Sequence, residues 1–122
     1  MFYYNNTKIV LFLENGMGFF DIFKFKDING ELEKAKTIQG SVILDVRSVS
    51  EYKGGHIPKS INIPVDEISK VSTQYKDKTT HFFVYCLSGA RSAGAVRMMH
   101  NMGYENVVDM GGISRYHGEI ER

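Results

Sequence analysis

Phe82-Phe83-Val84-Tyr85-Cys86-Leu87-Ser88-Gly89-Ala90-Arg91-Ser92 decides the reading of this chain. Phe82 to Tyr85 is aromatic and β-branched without a polar break, the strongest strand signal in the sequence. Leu87 to Ala90 turns the chain, and a helix is expected to begin at about Arg91. Ser92, Val96, Met99 and Met102 then share one helical face, with Ala95 beside them, and Gly103 supplies a left-handed stop. A buried strand thus carries Cys86 to its C-terminal end, where open α/β sheets form their crevices. Backbone N–H groups of so tight a loop converge on its centre. The helix N-terminus adds about half a positive charge. Together they make an anion cradle.

A thiol at the mouth of such a cradle is expected to ionise more readily than a free one, and the thiolate is the nucleophile. Gly89 lets the loop close without a Cβ. Arg91 brings a fixed cation suited to an oxyanion. Ser92 can cap the helix or offer a hydroxyl. Leu87, Ser88 and Ala90 add no charge. Buried, inert cysteines are common, but Cys86 is the only cysteine, and its setting between strand, Gly-containing loop and Arg argues for chemistry.

The same alternation continues outward. Asp27 can cap a helix through Glu31, Leu32, Glu33 and Ala35, stopped by Gly40. Val42 to Val46 reads as a buried strand, Ser48 to Tyr52 as a helical turn, and Ile61-Asn62-Ile63 as a short strand closed by Pro64. Val65, Ile68, Val71 and Tyr75 place a helix face after it, with Asp66 and Glu67 in the first turn. Val107 to Met110 is a further strand, and Gly111-Gly112 leads into an expected last helix, Ile113 to Glu121. Strands apolar on both faces and alternating with helices predict an α/β fold: three layers, with a short parallel sheet of about five strands covered by helices on both faces. Residues 1–20 read as an N-terminal extension of uncertain structure, and 21–122 as the domain.

Composition narrows the functions. The chain has 122 residues, 43% hydrophobic and 24% charged, enough for one self-sufficient domain. The formal net charge of +1 and the lack of a dense basic cluster argue against nucleic acid. No run approaches the ~20 apolar residues of a membrane span, and Ile9 to Leu13, ended by Glu14, is a poor signal peptide. A lone cysteine allows no internal disulfide and suits a reducing, cytoplasmic setting. His81, His100 and His117 share no metal-ligand spacing with one another or with Cys86. The six methionines read as core filler.

The chain resembles the rhodanese family, in particular its single-domain sulfurtransferases. The loop matches C-x-x-G-x-R at Cys86, Gly89 and Arg91. An earlier signature is similar across Leu44-Asp45-Val46-Arg47, Glu51-Tyr52, Gly55-His56-Ile57-Pro58 and Ile61-Asn62-Ile63-Pro64. A later one runs from Gly103-Tyr104 through Val107-Val108 to Gly111-Gly112-Ile113, with Tyr116 where the family often has Trp. The resemblance covers roughly residues 25–120. It implies a persulfide on Cys86, taken from a sulfane donor such as thiosulfate and passed to cyanide or a cellular thiol. It implies no metal and no organic cofactor. With no second cysteine, the acceptor comes from outside, with thioredoxin or glutathione as examples.

Two other functions compete. Rhodanese-like docking modules tend to lack the cysteine or the loop, which this chain keeps. Thiol phosphatases and arsenate reductases place five residues between Cys and Arg; here there are four, a smaller cradle better matched to sulfur than to phosphate. Asp45 and Arg47 are expected to pair structurally, Arg47 with either Asp45 or Glu51. His56, in a turn, is read as structural rather than as a general base. Arg115 can attract an anionic donor or lie as a solvated surface residue.

Overall fold

The structure is a computed structural model and describes residues 26–122. The proposed extension at 1–20 and the domain start at 21 lie outside the described residues. Helix α1 (Ile28–Thr37) leads to strand β1 (Val42–Asp45), helix α2 (Val49–Gly54) and strand β2 (Ile61–Asn62). A 3₁₀ segment (Val65–Lys70) runs into one α-turn, α3 (Val71–Gln74). Strand β3 (His81–Cys86), helix α4 (Ala90–Asn101), strand β4 (Asn106–Gly112) and a 3₁₀ turn (Ile113–Arg115) complete it.

All strand pairs are parallel, in the order β2-β1-β3-β4. The described residues hold four strands rather than about five. From β1 the chain steps outward to β2, then crosses back to place β3 on the other side of β1. The C-terminal ends of β1 and β3 therefore diverge at a topological switch point, where such sheets open a crevice.

Strand β3 is buried on both faces, as its uninterrupted apolar run requires. Phe82, Val84 and Cys86 enter one core with Val46, Ile68, Val71, Ala95, Met99 and Tyr104, under α4 and the 3₁₀ segment. Phe83 and Tyr85 enter the other with Ile28, Leu32, Ile57 and Met110, under α1. The aromatic positions on the first face interlock: Phe82 meets Tyr75 and Tyr104 edge to face, each with ring centroids 5.3 Å apart.

Three local expectations are corrected. The segment after Pro64 is 3₁₀ with non-helical backbone at Glu67, not a continuous α-helix. Its apolar positions 65, 68 and 71 are three apart, a spacing that suits three residues per turn. Asp27 stands at the N-cap of α1 but its side chain makes no cap bond. The last helix shrinks to Ile113–Arg115. Tyr116 is already extended (φ −78°, ψ 139°), and Glu121 pairs antiparallel with His56 through backbone bonds of 2.8 and 2.9 Å. The C-terminal residues thus satisfy their backbone against the turn after α2 rather than within a helix.

Candidate active site

Cys86 ends β3 and is 1% exposed. Gly89 adopts φ +116°, a left-handed conformation that a residue with a Cβ rarely takes, and serves as N-cap of α4. This bend turns the Gly89 N–H back onto Cys86 Sγ at 3.0 Å. The amide donates to the sulfur at the N-terminus of a twelve-residue helix, where the dipole favours negative charge. Ser92, in the first turn of α4 and fully buried, places Oγ 3.5 Å from the same sulfur. Its hydroxyl also lies 3.0 Å from the Gly89 carbonyl and 2.8 Å from Asp109 Oδ1.

Strand β4 supports the loop from below. Its register against β3 slips between Val84 and Tyr85, so Met110 is an extra residue in β4. The bulge sets Gly111 and Gly112 beside Tyr85 and Cys86. The Asp109 carboxylate spans the bulge, accepting from Gly111 N–H at 3.0 Å. Ser114 N–H donates to the Leu87 carbonyl at 3.1 Å and ties the loop to the chain beyond.

Arg91 is committed elsewhere than the sequence suggests. Its guanidinium makes a fork on Glu51, with Nη1–Oε1 2.7 Å and Nη2–Oε2 3.0 Å. Glu51 does double duty, because its side chain also accepts from Ser48 N–H at 2.9 Å while Ser48 Oγ accepts from Glu51 N–H. This is a capping box. The Arg91 hydrogen bond, followed by that from the Ser48 backbone, holds the Glu51 carboxyl down to about 2. Reciprocally, Glu51 raises Arg91 above its ordinary value, with a smaller contribution from Cys86. The crevice between the β1 and β3 ends is thus bridged by an ion pair, and the loop cation reaches sulfur chemistry only alongside its own counter-charge.

Because the folded carboxyl of Glu51 lies below the unfolded one, the stability it contributes is complete above pH ~4.3 and lost as pH falls toward 2. Glu51→Gln is therefore expected to flatten the fall of Tm between pH 5 and 2. At neutral pH it is expected to cost about 0.5–1 kcal/mol, since the pair is partly exposed. Thermal melts across that range check both statements, and an unchanged acid slope would contradict them.

Asp45 and Arg47 pair as one of the two expected alternatives, buried at 0% and 6% exposure. Arg47 donates through its backbone N–H, Nε and Nη2 to the Asp45 carboxylate at 2.7–3.1 Å. Burial works against the Arg47 charge, but the Asp45 hydrogen bond and charge outweigh it and the guanidinium is held above its ordinary value. Nη2 also reaches the Gly55 carbonyl at 2.7 Å. His56 is structural in its contacts: stacked on Tyr52 at 3.7 Å, with Nδ1 2.8 Å from the Tyr52 carbonyl and Nε2 3.7 Å from Glu121.

Two shallow hollows flank the loop, and Cys86 lines neither. One, of about 200 Å³, is bounded by Lys26, Ser88, Gly89, Gly111, Gly112 and Arg115. Arg115 is thereby set on the approach to the loop. The other, of about 390 Å³, lies between Val49, Pro64, Val65, Glu67 and Arg91. Glu51 and Asp109 were not readable as site residues from the loop alone. Ser48-x-x-Glu51 carries a capping-box signature, but nothing in Val108-Asp109-Met110 announces a bulge.

A parallel sheet with the cysteine loop at the switch point defines a class, and comparison with known proteins gives the family. A sequence profile described as Rhodanese-like domain matches residues 27–119, and the chain belongs to this family. It is similar to the thiosulfate sulfurtransferase PspE of Escherichia coli, 35% identical over 71 residues that make 57% of this chain and 68% of that protein. It is also similar to the adenylyltransferase and sulfurtransferase uba4 of Ogataea parapolymorpha, 33% identical over 79% of this chain and 25% of that protein. For three of the curated relatives the chain spans only 25%, 42% and 36% of their length. Among solved structures, an E. coli rhodanese with anions superposes with a TM-score of 0.63 at 30% identity, over 67% of this chain and 98% of that one.

Proposed function

We propose that this domain is a sulfurtransferase that carries sulfane sulfur on Cys86. The observation that carries the reading is the Gly89 N–H aimed at Cys86 Sγ from the N-terminus of α4. The C-x-x-G-x-R loop and the sulfurtransferase names among the relatives support it.

In this reading the Cys86 thiolate attacks the outer sulfur of thiosulfate. A new S–S bond forms on Cys86, the bond to the sulfite group breaks, and sulfite leaves with the electron pair. The terminal sulfur of the persulfide holds the negative charge, within reach of the loop amides and helix dipole. An acceptor thiolate, or cyanide, then attacks that sulfur and Cys86 leaves as the thiolate. Leu87, Ser88, Gly89, Ala90, Arg91 and Ser92 form the wall of the cradle. The chemistry asks for no metal or cofactor. Cys86 is the only thiol of the 122 residues, and the acceptor in this reading is a separate molecule such as glutathione or thioredoxin. A reducing, cytoplasmic compartment suits this use of a lone thiol. No helix among the described residues is long and apolar enough to cross a membrane.

Incubation with excess thiosulfate, removal of the donor and intact-mass measurement test this. The expected result is a gain of one sulfur, absent in Cys86→Ser and reversed by cyanide or dithiothreitol. No gain with thiosulfate, 3-mercaptopyruvate or a small persulfide would reject the reading and leave a docking module in its place.

A further inference from the structure

We propose that Asp109 is a positioning residue for Cys86, acting through the Ser92 hydroxyl. Its consequence for sulfur transfer rests on the function proposed above; the contact itself does not.

Ser92 Oγ has one hydrogen to give. Around it stand Asp109 Oδ1 at 2.8 Å, the Gly89 carbonyl at 3.0 Å and the Gly111 carbonyl at 3.4 Å, all acceptors, with Cys86 Sγ at 3.5 Å. The nearest and only charged oxygen is that of Asp109, and hydrogen bonds to charged acceptors are the stronger ones. Asp109 is held where it is, by Gly111 N–H on Oδ1 and by Lys26 Nζ on Oδ2 at 2.6 Å.

The direction of the hydroxyl then depends on the state of the sulfur. As a thiol, Cys86 donates S–H to Ser92 Oγ while Ser92 donates to Asp109, and every group is satisfied. As a thiolate, Cys86 keeps the Gly89 N–H and is further stabilised by any second donor. Ser92 can supply one only by turning away from Asp109; otherwise its lone pair faces the anion. In the persulfide, the inner sulfur carries neither proton nor formal charge, so the hydroxyl keeps its bond to Asp109. Asp109 therefore competes with the thiolate for one proton and leaves the persulfide undisturbed. It tilts the site from the free thiolate toward the sulfur-loaded form.

Other charges stand around the loop. Arg91 on α4 is paired with Glu51 of α2, Lys26 sits on Asp109, Arg115 lies across the hollow at Ser88 and Gly89, and the Asp45–Arg47 pair closes the β1 side. The test must separate Asp109 from all of these. Asp109→Asn keeps the shape and an acceptor oxygen for Ser92 and Gly111 but removes the charge.

The experiment is the pH dependence of Cys86 alkylation by iodoacetamide, which needs no sulfur donor. In Asp109→Asn, alkylation below the wild-type midpoint is expected to rise about 3–10-fold, the size of the difference between a charged and a neutral hydrogen-bond acceptor. Made in a Ser92→Ala background, the same change is expected to have no such effect. An unchanged profile in Asp109→Asn would overturn the proposal. So would an equal rise in both backgrounds, which would assign the effect to charge acting directly. If Asp109→Asn does not fold, Lys26→Met reads the contact from outside: loss of the counter-cation is expected to slow alkylation, and no change overturns the proposal. A failure of sulfur loading would leave these alkylation results standing, so the two readings fail separately.

Discussion

Gly112→Ala is expected to lower the rate of sulfur loading on Cys86 by about 100-fold while leaving the domain folded. Gly112 has ordinary extended backbone (φ −114°, ψ 143°), so alanine brings no conformational strain of its own. The obstacle is the loop. A Cβ on residue 112 would lie 2.7 Å from Ser88 Cα and 2.8 Å from the Leu87 carbonyl carbon, and closer still to the Leu87 oxygen. These are backbone atoms and cannot swing aside as a side chain does. Relief requires the Leu87–Gly89 turn to lift by about 1 Å, and misplacement on that scale costs about 10²-fold in catalysis. It would also pull Gly89 N–H off the sulfur. The overpacking itself is expected to cost about 1–3 kcal/mol. Gly54→Ala is the control, since nothing lies within 4 Å of its Cβ. Single-turnover loading by thiosulfate measures the effect, and wild-type loading in Gly112→Ala would show that the loop tolerates the displacement.

Arg47→Met is expected to destabilise the fold by about 3–5 kcal/mol, a large share of the ~5–15 kcal/mol typical of a domain. The Asp45 carboxylate is fully buried and takes three hydrogen bonds from the Arg47 side chain. Without the guanidinium it loses its counter-charge and keeps the Arg47 backbone N–H and the Tyr85 hydroxyl. The Gly55 carbonyl loses its partner at the same time, and the turn from Gly55 to Ser60 loosens against Tyr85. Arg47→Lys is not expected to rescue, because an ammonium cannot reproduce the planar fork. Asp45→Asn combined with Arg47→Met is expected to recover part of the loss, since no unpaired charge remains. Urea midpoints at constant m-value report all three variants. A single variant as stable as the wild type would remove this pair from the account of the fold.

The loop and its strand were legible because their signals are local. Phe82 to Tyr85 can only be a doubly buried strand, and a Gly three residues after Cys86 can only bend the chain back. The family motifs followed the same logic. What escaped is non-local. Arg47 had two candidate partners in the sequence, Asp45 and Glu51; space gives Glu51 instead to Arg91, forty residues on. The bulge at Met110 depends on the β3 register, which no window on β4 contains. The last helix failed because a backbone partner, His56 in the turn after α2, competes for Glu121.

The alternation along β3 has a consequence for what counts as the active site. Even-numbered residues go to the α4 side and odd-numbered ones to the α1 side, so Cys86 meets Gly89 and Ser92 by parity. Removing one residue anywhere between His81 and Tyr85 would leave the hydropathy of the strand almost as it is. It would also deliver the thiol to the opposite half of the protein, away from the N-terminus of α4. The count of residues in a buried strand is, in this fold, a catalytic quantity.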